Sequence, residues 1–253
     1  MLLSGSKLNF FWLVIFGLTL PVSVVISTQL ARRSFENVRL REQTINVRGF
    51  AEQAVTSDVG QWSGQITVRN KELAEAYKTL DEHRTRTLEL LESVGGFKKT
   101  DVGMGTVGID QEYTKDEKGN RTNTIEYYVL RQTLFVQSSS VATIEKVSRE
   151  VGTLIRFGIE LDAYAPRFLF SGLEAMKLEM IAAASSNARE RATRLIASGG
   201  GKLGGLRSAS QGVFQITPPL STDVSDSGQS DTTSVSKVVK AVVSCEFAIQ
   251  TTD

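Results

Sequence analysis

The sequence predicts an α+β fold of antiparallel β-sheets packed with two or three amphipathic helices, preceded by one transmembrane helix. Three observations predict it. Residues 8–30, LNFFWLVIFGLTLPVSVVISTQL, contain no charged side chain. Residues 61–69 set Trp62, Gly64, Ile66 and Val68 against Ser63, Gln65, Thr67 and Arg69, the period-two pattern of a half-buried antiparallel strand. Leu73, Tyr77, Leu80, Leu88, Leu91 and Val94 then recur at three- and four-residue steps, one face of an amphipathic helix.

The uncharged run is long enough to span a bilayer, which takes about 20 apolar residues. A cleaved signal peptide is the alternative, but its best small-x-small candidate, Gln29-Leu30-Ala31, has the wrong first residue. An uncleaved signal anchor over residues 1–30 is therefore expected, followed by a charged, aperiodic tether over 31–42 and a domain over 43–253. Its orientation is contested by the flanking charges. Lys7 precedes the run, whereas Arg32, Arg33, Arg39 and Arg41 follow it, which by the positive-inside rule leaves the domain in the cytoplasm.

Within the domain, strand signals open at Thr44-Ile45-Asn46-Val47. Gly95-Gly96 closes the first helix. Two strands over 102–113 and 124–137, joined through Asp116-Glu117-Lys118-Gly119-Asn120, predict a hairpin. A second helix is expected over 141–155, then a strand over 159–168 in which Pro166 marks an edge or bulge. A third helix over 173–197 presents Leu173, Met176, Met180, Ala184, Ala188, Ala192 and Leu195. Its alanines would let it approach a sheet closely, and Gly199-Gly200-Gly201 ends it. Strands over 212–217 and 238–249 finish the chain, separated by a long exposed loop over 218–236 rich in Ser, Thr and Asp. The order strand–helix–strand occurs twice, over 61–113 and 124–168, as in a duplicated β-α-β half-domain.

Composition removes several function classes. Twenty-nine basic and 28 acidic residues leave a net charge of +1, no footprint for nucleic acid. One cysteine, Cys245, excludes an internal disulfide, and with one histidine, His83, it does not make a zinc site.

The short motifs give no chemistry either. Gly103-Met104-Gly105-Thr106-Val107-Gly108 matches a dinucleotide loop literally but follows a helix and enters a strand, where that loop must open a helix. Gly199-Gly200-Gly201-Lys202 ends a helix, and a helix C-terminus repels phosphate. Asp223-Val224-Ser225-Asp226-Ser227-Gly228 starts like a calcium loop, but Ser234 stands where the glutamate is needed. His83 reads as a surface residue, and Cys245 as a small hydrophobe on the apolar side of the last strand with Val243 and Phe247. No catalytic, cofactor-binding or metal-binding residue is assigned, and no cofactor.

The segment Thr44-Ile45-Asn46-Val47-Arg48-Gly49-Phe50-Ala51, the alanine- and arginine-rich helix over 177–194, Gly201-Lys202-Leu203-Gly204, Gly212-Val213-Phe214-Gln215-Ile216-Thr217-Pro218 and Ser230-Asp231-Thr232-Thr233-Ser234-Val235 together resemble SIMPL-domain proteins over nearly all of 43–249. The resemblance implies an extracytoplasmic, oligomeric domain without an established catalytic residue set, in a family whose bacterial periplasmic and outer-membrane-associated members include some tied to oxidative-stress defence. With the anchor, it places the chain in a bacterial inner membrane, the domain facing the periplasm or exterior. The missing chemical constellation and strand edges free to pair then lead to the expectation of a non-enzymatic structural or interaction protein that self-associates. The resemblance carries no functional residues over, and it favours export of the domain despite Arg32 and Arg33. The expected partners are the membrane, through residues 8–30, and further copies of the chain. Two alternatives stand beside this reading. One is a small-molecule or peptide binding module framed by 218–236 and 102–108; the other is a hydrolase using serines of the long loop.

Overall fold

The computed structural model describes residues 28–29 and 43–250. The expected anchor and tether lie outside the described residues, apart from Thr28 and Gln29. Among the described residues, no helix is long and apolar enough to cross a membrane. In chain order the elements are β1 (Thr44–Thr56), β2 (Val59–Asn70), α1 (Leu73–Gly95), a 3-10 turn (Lys99–Asp101), β3 (Gly103–Met104), β4 (Gly108–Lys115), β5 (Arg121–Ser138), α2 (Val141–Glu150), a second 3-10 segment (Val151–Phe157), β6 (Glu160–Ala163), β7 (Arg167–Leu169), α3 (Leu173–Ala197), β8 (Lys202–Gln211), β9 (Gln215–Thr217), β10 (Gln229–Ser230) and β11 (Ser236–Gln250). They form two units, one of residues 43–51, 181–212 and 242–250, the other of 52–180 and 213–241.

The larger unit is built on an antiparallel sheet in the order β3 and β4, β5, β2, β6 and β7. β2 and β5 lie at its centre and pair from Gly60↔Ser138 to Asn70↔Tyr128. The alternation in β2 works as the sequence predicts: Trp62, Ile66 and Val68 are buried with Leu130, Leu134 and Val136 of β5. Leu80, Leu88 and Leu91 of α1 and Ile144 and Val147 of α2 complete this core. Each large aliphatic side chain so buried contributes about 1.5–3 kcal/mol. The connectivity is β-α-β-β-α-β, the split arrangement in which two β-α-β passes share one sheet.

The sheet's opposite face is held by charge. Arg69, on central β2, reaches Glu160 of β6 at 2.6 Å and Glu112 of β4 at 3.5 Å, and Arg131 of β5 pairs with Asp110 of β4. Arg69 thus ties together strands on both flanks of the central pair.

Local punctuation follows the residues that permit it. Gly96, at φ 71°, closes α1, its N–H bonding the Glu92 carbonyl at 2.8 Å. Ser140 caps α2 by accepting from the Thr143 N–H. In the β4–β5 hairpin the Asp116 carboxylate accepts from the N–H groups of Lys118 and Asn120, while Gly119 takes φ 82°.

Several boundaries differ from expectation. The second helix is α-helical only to Glu150 and tightens to 3-10 geometry up to Phe157, before Gly158 at φ 73°. The strand expected over 159–168 is two pieces, β6 and β7, because Pro166 has no N–H for the ladder. Leu73 and Tyr77 are 39% and 49% exposed; Ala76 and Thr87 take the buried side of α1 with Leu80 and Leu91. The span 218–236 is not exposed throughout, since β10 lies within it, parallel to β9, and Asp231 is buried.

In the smaller unit, β11 lies between β1 and β8, and α3 covers Val47, Val243, Cys245 and Phe247 with Ala184, Ala188 and Ala192. The alanine spacing of four, read from the sequence, is the contact stripe. At Gly49 the helix backbone comes so close that a Cβ would stand 1.9 Å from the Ala184 carbonyl oxygen. Asn187 and Arg191, one turn apart on α3, bond the Phe50 N–H and the Arg48 carbonyl of β1. The stripe closes on Ile196, not on Leu195, which is 58% exposed. β8 is an element the sequence did not announce.

Candidate functional site

The glycine-rich motif at 103–108 follows no nucleotide-loop geometry. It runs along β5 as β3, a bridge in which Gly105 N–H bonds the Thr133 carbonyl, and the start of β4. Gly199 to Gly201 follow the end of α3, with Gly200 at φ 76°. In the calcium-like segment, the Ser225 N–H and carbonyl engage the Gln215 side chain. Among the described residues, no three His, Cys, Asp or Glu side chains gather closely enough to hold a metal ion.

His83 is half-buried, not a surface residue; its Nδ1 has no partner among the described residues, and burial lowers its pKa against the pull of Glu82. Cys245 is 1% exposed, and burial pushes its thiol pKa up, away from a reactive thiolate.

Among the described residues, each unit carries a surface cavity. The larger unit has an open cleft of about 420 Å³ between α1 and the second 3-10 segment, lined by Arg86, Ser93, Val94, Glu150 and Phe157 among others. Arg86 lies over the Phe157 ring at 4.5 Å and pairs with Glu89 at 3.2 Å. This lining offers an aromatic plate and paired charges for a ligand's surface, with no nucleophile–base geometry. The smaller unit has a cleft of about 470 Å³ lined by Gln43, Ile45, Leu195, Ile196, Gly199 to Gly201 and Ile249. Neither cleft is lined by residues 102–108 or 218–236, the two segments expected to frame a binding site.

The most perturbed group is one that motif reading passed over. Lys237 and Asp231 form a buried ion pair at 3.5 Å, their side chains 3% and 6% exposed. Lys237 also donates to the Asp231 carbonyl at 2.8 Å. Burial alone would raise the Asp231 pKa, but hydrogen bonds from the Thr233 N–H and hydroxyl and from Ser234 outweigh it and hold the carboxylate far below its usual range. Lys237 is lowered, burial prevailing over attraction by Asp231. Extending the alternation of Val243, Cys245 and Phe247 backwards puts Lys237 on the buried side of β11 with Val239 and Ala241. A lysine in that register is the signal that could have found it.

The split β-α-β sheet and the alanine-packed helix define a two-unit α+β domain. Residues 45–247 match the model of the SIMPL family, described as a protein of unknown function (DUF541), and the chain belongs to that family. No curated protein matches the chain.

Proposed function

We propose that the chain is a membrane-anchored, extracytoplasmic structural or interaction protein of the SIMPL type that self-associates through the edge of β8. The observation that carries this reading is β8 itself. It is ten residues long, pairs with β11 on one side, and is exposed from Gly205 to Gln211, with Leu206 54% exposed. An extended edge of that length is a template for pairing with another chain; it holds no proline, its charges are confined to Lys202 and Arg207, and its ladder with β11 is irregular beside Leu206. The uncharged run over 8–30 supports the anchoring half of the proposal, because it would hold copies on one surface and raise their local concentration. The setting in stress defence rests on family membership alone.

The test is absolute mass by light scattering of the full chain in detergent, with the detergent contribution subtracted. The expected result is a discrete multiple of 27.7 kDa, reduced by Leu206→Lys, which puts a charge on the edge. A monomer at all accessible concentrations, in detergent and in nanodiscs, overturns the self-association reading.

The second reading, a binding module, is favoured by the Arg86–Phe157 cleft, which offers aromatic and charged groups together. A ligand found by thermal shift should lose its effect in Phe157→Ala.

A further inference from the structure

The span 218–228, in the larger unit, presents apolar side chains to solvent and holds them there. The Ser221 N–H bonds the Pro218 carbonyl at 3.2 Å, so Pro219 and Leu220 are the two central residues of a tight turn. Leu220 takes φ 65°, a left-handed conformation that suits glycine, and its side chain is 100% exposed. Val224, four residues on, is 78% exposed. The loop is tied down on both sides of Val224. Lys240 donates to the Ser221 carbonyl at 2.8 Å, and the Gln215 side chain holds Ser225 through both its N–H and its carbonyl. Asp223 and Asp226 stand either side of Val224, exposed and without an ion pair among the described residues. No lysine or arginine occurs from 208 to 236.

The tip is therefore apolar within an acidic collar. Such a collar is repelled by an anionic lipid or nucleic-acid surface and selects an apolar contact beside an unpaired cation. β8 of the smaller unit offers one. Leu206 is exposed, and so is its neighbour Arg207, which makes no ion pair among the described residues. Glu246 of β11 accepts from the Ser208 hydroxyl at 3.2 Å. The ladder with β11 shifts register on both sides of Phe247, the partner of Leu206. That irregularity makes the edge poor at taking a further strand there, so β8 meets a partner through side chains. The charge of the whole units agrees. The described part of the smaller unit carries six basic residues against Glu190 and Glu246, a net charge of +4. The described part of the larger unit carries 18 basic and 23 acidic residues, a net charge of −5.

We propose that the 218–228 tip of one copy docks on β8 of a second copy, Leu220 and Val224 against Leu206, with Asp223 and Asp226 around Arg207. The inference rests on the self-association reading above and names what meets β8. The two surfaces differ, so the contact is head to tail: each copy gives its tip to one neighbour and its β8 patch to another.

The experiment measures the mass of the full chain in detergent by light scattering, with the detergent contribution subtracted, for the parent and two variants. Leu220→Gly removes the apolar tip at a φ that glycine adopts freely, so the fold is kept, and a urea midpoint no lower than the parent's checks this. Arg207→Glu sets a like charge before the acidic collar on an exposed strand position. Each variant alone should dissociate where the parent is assembled, its dissociation constant raised about tenfold or more. An equimolar mixture of the two should recover a complex of twice the protomer mass and no larger. The first variant still has its β8 patch and the second still has its tip, which leaves one good contact per pair.

Either variant at the parent's mass overturns the proposal and leaves self-association standing. So do two dissociated variants whose mixture stays monomeric, since the two surfaces would then not meet each other. A parent that is itself monomeric removes the self-association reading and this inference with it.

Discussion

Gly49 of β1 faces Ala184 of α3 at a distance that leaves no room for a side chain: a Cβ on Gly49 would lie 1.9 Å from the Ala184 carbonyl oxygen and 2.7 Å from the Ala188 nitrogen. Both obstacles are backbone, so neither can rotate away. Gly49→Ala should destabilise the chain by about 3 kcal/mol through forced separation of helix and strand. Chemical denaturation measures it, with Gly205→Ala as the control, because a Cβ at Gly205 meets nothing within 4 Å. Equal midpoints for the two variants would remove the close approach as a structural requirement.

The Lys237–Asp231 pair predicts an acid limb in stability. The folded pKa of Asp231 lies below its unfolded value of about 3.9, so its contribution is fully present above that value and is lost as pH falls through the folded one. Lys237 acts with the opposite effect: its folded pKa is depressed, so keeping it charged costs stability at lower pH, and that cost is relieved as pH rises toward about 10.4. Asp231→Asn should flatten the urea midpoint between pH 4 and pH 2 relative to the parent, with Asp58, bonded by Ser171, and Asp116, bonded by Lys118 and Asn120, contributing to the slope that remains.

Removing one member of the pair is also costly at neutral pH. Lys237→Met removes the cation beside a buried carboxylate that keeps its bonds to Thr233 and Ser234, and should destabilise by about 2 kcal/mol. The double variant Asp231→Asn/Lys237→Met should recover part of that loss, and a double-mutant cycle reads the coupling. Additive losses would mean that the two groups do not interact energetically.

Cys245 should resist thiol reagents in the folded chain and react once urea has unfolded it, since it is 1% exposed and its thiol pKa is raised. Labelling at the unfolded rate under native conditions would contradict the packing of α3 on β11.

Gly119→Ala should cost about 1 kcal/mol, because φ 82° is unfavourable for a side chain even though the space around it is empty. Gly152→Ala, where space is equally open without a positive φ, should be close to neutral.

The sequence spoke most clearly where side-chain period and burial coincide, as in β2 and in the alanine stripe of α3. It located the direction of the helical stripes better than their centres. Ala76 is too small to signal, yet it is fully buried, while Leu73 and Tyr77 stay half-open. Likewise Leu195 and Ile196 look equivalent in sequence, and only the strict four-residue step from Ala192 separates them.

β8 was illegible for a different reason. Lys202-Leu203-Gly204-Gly205-Leu206-Arg207 has neither alternation nor strand formers, and the segment is a strand because β11 supplies the ladder. Lys237 could be found by carrying the alternation of Val243, Cys245 and Phe247 three steps further back. Its partner Asp231, six residues before Lys237, could not, because the turn that folds it inward is set by Thr233 and Ser234 and follows no periodic pattern. The two clefts are equally silent in sequence: their lining residues are each ordinary members of helix faces and strand ends.

Consider finally how the larger sheet is shared out. β2 pairs with β5, β6 and β7, whereas β3 and β4 pair with β5. Every ladder in that sheet therefore joins the first β-α-β pass to the second, and none joins two strands of the same pass. Neither pass can be a folding intermediate in its own right, because alone it has a helix and two strands with nothing between them. Assembly must wait for both to be synthesised, and a cut in the exposed turn at Asp116 to Asn120 should leave two interlocked fragments that stay together until denatured.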